Sequence, residues 1–272
     1  MKRLFWLLTA WTITATAAMG STATTRELPA AGVDQVRLVC DAGALSVGGV
    51  PGKAEIGISA EVEVDGLPPQ DLASFVDAYV RLASKRLGSV VTITARVDDR
   101  APSHSGARIN LSATVPAEVD VHITDGSGPI LVRNIRGRVT VDDDSGSVTI
   151  ADIIGSVSVR DASGSISVEN CRGPVSIRDG SGPIFVDTQA GNVMITDGSG
   201  DLTILHVLGN VTVADDSGSI DISDVSGDVN VREAGTGELV IERVDGTITL
   251  HDRSGVRNLE SIKGNIILLE EE

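Results

Sequence analysis

Aromatic side chains are nearly missing from this chain: they make up 2% of its 272 residues. Both tryptophans, together with Phe5, fall within the first eleven positions, and after them only Phe75, Tyr79 and Phe185 remain. Surfaces that hold sugars or nucleobases by stacking need aromatic platforms, so that mode of recognition has almost nothing to work with here. Basic residues are also short, 22 Lys and Arg against 38 Asp and Glu, for a formal charge of −16. Such a surface repels phosphate backbones and anionic lipid, which makes nucleic acid and bare membrane poor partners. There are two cysteines, Cys40 and Cys171, and in an exported chain a disulfide between them is permitted, though their pairing does not follow from the sequence. No apolar run after the N-terminus approaches the roughly 20 residues of a membrane helix.

The N-terminus itself reads as an export signal. MKRLFWLLTAWTITATAAMGSTA places Lys2 and Arg3 ahead of an apolar run from Leu4 to about Ala18, followed by small residues. That is the layout of a secretory signal peptide. Cleavage is expected near Gly20, with Ala17 or Ala23 as alternatives, and no cysteine stands there to carry a lipid. Loss of two positive charges takes the formal charge from −16 to −18. The mature protein is expected to be periplasmic or extracellular and cell-surface located, with no transmembrane segment.

What is abundant is glycine, 30 residues of it, and it is periodic. Glycine recurs every nine residues from Gly128 to Gly227 and, after one inserted residue, from Gly237 to Gly264. Aliphatics follow at the second and fourth positions after it, as in Ile130 and Val132 or Ile184 and Val186, with Ser, Thr, Asp or Arg between. Each nonapeptide is therefore one short strand with one buried face, opened by a turn. Only Arg257 breaks the first aliphatic column. Two kinds of turn alternate. One is DxSG, from Asp125–Gly128 to Asp215–Gly218 and again at 252–255. The other carries Ile135, Ile153, Cys171, Gln189, Val207, Val225, Val244 or Ile262 two residues before its glycine. The repeating unit is thus eighteen residues, which fits a coil of two strands and misfits a three-sided coil of twenty-seven. A flat meander would leave its apolar face in water. The expected fold is all-β, a two-sided β-solenoid of about eight coils.

The DxSG turns invite a catalytic reading that the pattern does not support. Ser127, Ser145, Ser163, Ser181, Ser199, Ser217 and Ser254 are equivalent, and none of His104, His122, His206 or His251 recurs in step with them. A serine without an aligned base is not an activated nucleophile. A calcium-binding nonapeptide would hold its Asp two residues after the glycine, where this chain has Ile130, Val148, Ile166 and Ile184. The Asp of DxSG is read instead as an Asx-turn acceptor, with Gly supplying the unusual backbone angle. No catalytic, cofactor or metal residue is assigned, and Cys171, in an aliphatic column, is read as a small buried hydrophobe.

Residues 21–120 have another texture: strands such as VRLVCDAGALSVGGV and AEIGISAEVEV, and one apolar stripe, Leu72, Phe75, Val76, Tyr79 and Leu82. That stripe predicts a helix near 69–87, opened by Pro68 and Pro69 and capped by Gly88. The predicted organisation is a signal peptide at 1–20, an N-terminal β-rich cap with one helix at 21–120, a solenoid at 121–269 and an acidic tail at 270–272.

The GALSV turn, the phrase INLSATVPAEVDVHITDGSGPI and the tandem SGxIxV and GxVxV repeats together resemble the bacterial putative-adhesin β-strand-repeat family, a domain-of-unknown-function group similar to the putative auto-transporter adhesin head family. The resemblance covers nearly all of the mature chain and implies the fold, but it carries over no catalytic or ligand residue. No membrane barrel, wall-sorting signal or lipid anchor is expected where the chain runs IILLEEE. The function expected is a non-enzymatic cell-envelope scaffold or protein-interaction module with a protein partner. The alternatives are a surface adhesin and, remotely, a polysaccharide-processing β-helix enzyme.

Overall fold

A computed structural model describes residues 12–14, 21–102, 106–235, 237–251 and 257–269. The segment 1–20 expected to be a signal peptide, apart from Thr12–Thr14, lies outside the described residues, as do 103–105 with His104, the DxSG sequence at 252–255 and the tail 270–272. The chain begins with β1 (Thr12–Thr14), β2 (Ser21–Pro29), β3 (Gln35–Cys40), β4 (Leu45–Val50) and β5 (Glu55–Glu63). Helix α1 (Pro69–Tyr79), β6 (Val80–Leu87), β7 (Val90–Val97) and β8 (Arg108–Pro116) follow. The nonapeptides then alternate between two sheets, from β9 (Asp120–Asp125) and β10 (Ile130–Arg133) to β24 (Arg257–Glu260) and β25 (Ile266–Leu268).

Even-numbered nonapeptide strands stack in one sheet and odd-numbered ones in a second; with the strands that precede the repeat, the sheets hold thirteen and twelve strands. Within each sheet the strands are parallel and step by eighteen residues, as in Ile130↔Val148 and Val157↔Val175. Every Val, Ile or Leu at the two inward positions therefore stacks on its own kind. Ile150, Val168, Ile177 and Val186 are fully buried between the sheets. β-Branched side chains suit that pleated, two-walled interior, which is why the repeat favours them. The extra residue near Gly235 is absorbed as a bulge: the register shifts between Val213 and Ala214, and Asp215 then pairs with Ala234.

The segment before the repeat continues both sheets. β4 pairs in parallel with β10 and with β8, and β3 pairs in parallel with β9 and with β7. β5 and β2 extend the first sheet antiparallel, and β6 closes the second sheet antiparallel to β7. Helix α1 lies against β2 and β6, one strand from each sheet, and buries Leu72 and Phe75 over the end of the core. The Phe75 and Tyr79 rings stack at 5.0 Å between centroids.

The helix is shorter than the sequence pattern predicts: 80–87 is strand, not helix. Beyond Tyr79 the chain reads Val80, Leu82 and Ser84 inward against exposed Arg81, Ala83 and Lys85 outward, a period of two. Pairing with β7 satisfies those backbone groups along a full hairpin, which outweighs the helical spacing of Leu82. Gly88, at φ +63°, makes the two-residue hairpin turn rather than capping a helix. Arg81, Lys85 and Arg86 line the open side of this last strand, where charge discourages further pairing.

Candidate functional site

The most unusual chemistry in the molecule runs along one corner of the solenoid. Asp125, Asp143, Asp161, Asp179, Asp197 and Asp215 each end a strand of the second sheet and stand in continuous register. Strand alternation turns each of them inward, and all six are buried, Asp215 completely. Rungs of a parallel sheet lie about 4.8 Å apart, so this is a row of carboxyls at close spacing. Cys40 occupies the next rung beyond Asp125, since Val39 pairs with Thr124.

The hydrogen bonds at this corner are local. Oδ1 of Asp161 accepts the Ser163 amide at 3.2 Å, and Oδ1 of Asp215 accepts the Ser217 amide at 3.2 Å, both Asx-turn geometry. The serine hydroxyls are engaged with the neighbouring coil: Ser145 Oγ donates to the Gly126 carbonyl at 3.3 Å and Ser163 Oγ to that of Asp144 at 3.5 Å. Several carboxyl oxygens, including both of Asp143, Asp179 and Asp197, are buried without a partner.

That environment favours the neutral acid. Burial raises the carboxyl of Asp143 to about 7, and the charges of Asp161 and Asp125 push the same way. Burial likewise raises Asp125, Asp161, Asp179 and Asp197 to about 6, opposed by amides one or two residues on. Asp215 is raised as well, again chiefly by burial. Burial and then the charge of Asp125 hold the Cys40 thiol far above the usual range, and burial lifts Cys171 to about 11. Neither thiol is poised as a nucleophile, and the two are free and buried at different corners.

The opposite corner is built differently. Here the left-handed residue is not glycine but Asn134, Asp152, Asn170, Thr188, His206, Asp224, Arg243 or Ser261, at φ between +52° and +60°. The residue after each is an aliphatic of the predicted column, buried from Ile135 to Val244 apart from Cys171 and Gln189, which are equally buried. Gln189 is accommodated there because its Nε2 donates to the carbonyls of Asp187 at 2.8 Å and Val168 at 3.2 Å. The exposed side chains of this corner link neighbouring coils: His206 Nδ1 lies 2.7 Å from Asp187, and Arg243 grips Asp224 at 2.7 and 2.9 Å. This left-handed column, which sequence reasoning missed, leaves only a faint trace in the Asn and Asp that begin it.

Among the described residues, His122 and His206 do not meet the DxSG serines. His206 stands at the opposite corner, and His122 faces outward from the second sheet, 3.6 Å from Asp142. Among the described residues, no group of three or more His, Cys, Asp or Glu is gathered for a metal ion. No described helix is long and apolar enough to cross a membrane. An open cleft beside the cap brings Asp34, Lys53, Glu118 and Asp120 around a floor of small apolar residues, with no Ser, Thr or Cys in its lining.

No family model matches the sequence, and no curated protein does. Among solved structures, the chain is similar to a putative adhesin from Parabacteroides merdae at 13% identity and TM-score 0.38, covering 91% of this chain and 96% of that one. A putative adhesin from Bacteroides fragilis is 14% identical with TM-score 0.37, covering 91% and 97%. A putative cell adhesion protein from Clostridium sporogenes is 10% identical with TM-score 0.33, covering 91% and 98%. These likenesses are distant.

Proposed function

We propose that the protein is an exported, non-enzymatic interaction module of the cell envelope, offering its flat β faces to a protein partner. The observation that carries this reading is where the polar chemistry lies. The carboxyl row is walled in behind a corner and the hydroxyls of Ser127, Ser145 and Ser163 beside it are bonded to backbone, whereas the outward strand positions form broad columns of Ser, Thr and scattered charge. Flat polar sheets suit recognition of another macromolecule better than capture and turnover of a small one. The signal-like N-terminus supplies the export route.

Fractionation of the native host with an antibody to the mature chain tests this, combined with protease shaving of intact cells. Digestion on whole cells identifies a displayed, adhesin-like module, and protection until the outer layer is breached identifies an internal envelope scaffold. Retention of an unprocessed chain in the cytoplasm would overturn the export reading. Uronate lyase or glycosidase activity in the purified protein would overturn the non-enzymatic one.

A further inference from the structure

The two flat faces of the rod carry opposite charge. Outward positions of the first sheet hold Glu27, Glu61, Glu169, Asp187, Asp221 and Glu242, with Arg108 and Arg133 as the exceptions. Outward positions of the second sheet hold Arg37, Arg81, Lys85, Arg96, Arg160 and Arg178, with Asp120, Asp142 and Glu233 as the exceptions. Strand parity sorts them: each of these side chains alternates with the buried aliphatics of its own strand. Some of the positive charge is shared within the chain, Arg81 with Asp98 at 3.5 Å, Arg96 with Asp41 at 3.2 Å and Arg160 with Asp142 of the neighbouring strand at 3.4 Å. Arg37 donates to the neutral Gln35 at 3.0 Å, and Arg178 is exposed. A basic face on a chain of formal charge −16 is not what composition alone would distribute.

We infer that this basic face docks onto the acidic face of a second copy of the same chain, side by side with the rods parallel. The levels match along the rod. Arg160 and Glu169 belong to successive strands of the chain, and so do Arg178 and Asp187. The same holds at the capped end, where Lys85 of β6 and Glu61 of β5 each stand three strands beyond the first nonapeptide of their sheet, while Arg37 of β3 lies across from the uncharged β4. A copy translated across the sheets, without reversal, therefore brings acid opposite base at both levels. Twelve strands about 4.8 Å apart and about 17 Å long make a face of roughly 1,000 Å². That is comparable to the roughly 800 Å² per partner of a standard specific interface. The contact joins two different faces, so it does not close on itself, and the product is a lateral stack rather than a dimer. This inference is independent of which side of the envelope the protein occupies.

A charge-swap experiment on the full mature chain tests it by sedimentation at low salt. Wild type is expected to gain mass with concentration up to about 100 μM, a range in which weak interfaces become visible. The pair Arg160→Glu with Arg178→Glu and the pair Glu169→Lys with Asp187→Lys are each expected to weaken self-association by roughly tenfold or more, because each opposes like charges. An equimolar mixture of the two variants restores opposite charges at every contact and is expected to recover the assembly. The neutral pair Arg160→Ser with Arg178→Ser, matching Ser158 and Ser176 in the neighbouring column, covers the case in which reversal disturbs folding, and circular dichroism confirms the fold of each. A wild type that stays monomeric at the highest concentration overturns the proposal. So does association that the reversals leave unchanged, or a mixture that fails to recover.

Discussion

At Gly182 the backbone sits at φ +131°, and a Cβ there would collide with the carbonyl oxygen of Gly164 in the coil before it. Two separate requirements, a left-handed angle and close approach of stacked turns, fall on one residue. Gly182→Ala is therefore expected to cost more than about 3 kcal/mol, since backbone in a regular stack cannot move aside for one methyl. Gly52 makes the contrast: its φ is +68°, but nothing lies within 4 Å of its Cβ position. Gly52→Ala is expected to cost only about 1–2 kcal/mol, the left-handed penalty alone. Urea unfolding of the two variants checks the difference, and equal losses would mean that close stacking of the corners is not what selects glycine. At this scale the sequence is readable where one residue type has one job. The DxSG glycines and the Val and Ile columns announce themselves by period. Asp143 does not, because its letter is the same whether a turn leaves it in water or folds it under, and only the inward parity at the end of its strand decides.

Among the elements, the carboxyl row is the one whose energetics change with pH. Its members stand above the ordinary folded and unfolded range for Asp, about 7 at Asp143 and about 6 at Asp125, Asp161, Asp179 and Asp197. A carboxyl raised in the folded state keeps protons that the unfolded chain, titrating near 3.9, has already released. Its stabilising contribution is complete below that lower value and is lost as pH rises through 6 to 7. The groups facing the row add to the effect: Asp41, Asp144, Asp201 and Asp216 are acidic, and Arg96 reaches Asp41 rather than the row itself. Asp98 and Asp224, held low by Arg100 and Arg243, act in the opposite sense, but only as pH falls below the ordinary carboxylate range. Unfolding free energy is therefore expected to decline between about pH 4 and 8, where many proteins hold steady. Replacing Asp143 and Asp179 by Asn removes two of the six rungs and is expected to take away roughly a third of that slope. Denaturant titrations at a series of pH values would show it, and a profile equally steep in the double variant would mean that the row does not hold its protons.

For the whole molecule, the eighteen-residue coil is the unit that matters, and it was legible because two different turns alternate. The boundary of α1 was less so, because Tyr79 and Leu82 fit a helical stripe while Val80, Leu82 and Ser84 also fit a strand, and long-range pairing with β7 settles it. Charge sorting by face was hidden for a related reason. Parity assigns Arg160 and Glu169 to opposite faces only once the coil is known to be two-sided, and Arg37 or Lys85 only once the cap is seen to continue the same sheets. A deletion series follows from that unit. Removing residues 166–183 joins Ser165 to Ile184, the residue that pairs with Ile166, so every column keeps its neighbours. Stability in such stacks is close to a sum over neighbouring coils, so the shortened rod is expected to fold cooperatively with a modestly lower Tm. Removing residues 175–183 instead joins Pro174 to Ile184 and sends all later strands to the opposite sheet. The Asp corner would then stack on the aliphatic corner, placing Asp197 in the left-handed column of Asn170 and Thr188, and Gly198 in the aliphatic column of Cys171 and Gln189. That chain is expected to lose its cooperative transition. Thermal melts followed by circular dichroism distinguish the two deletions, and a nine-residue deletion as stable as the eighteen-residue one would contradict a coil of two unlike strands.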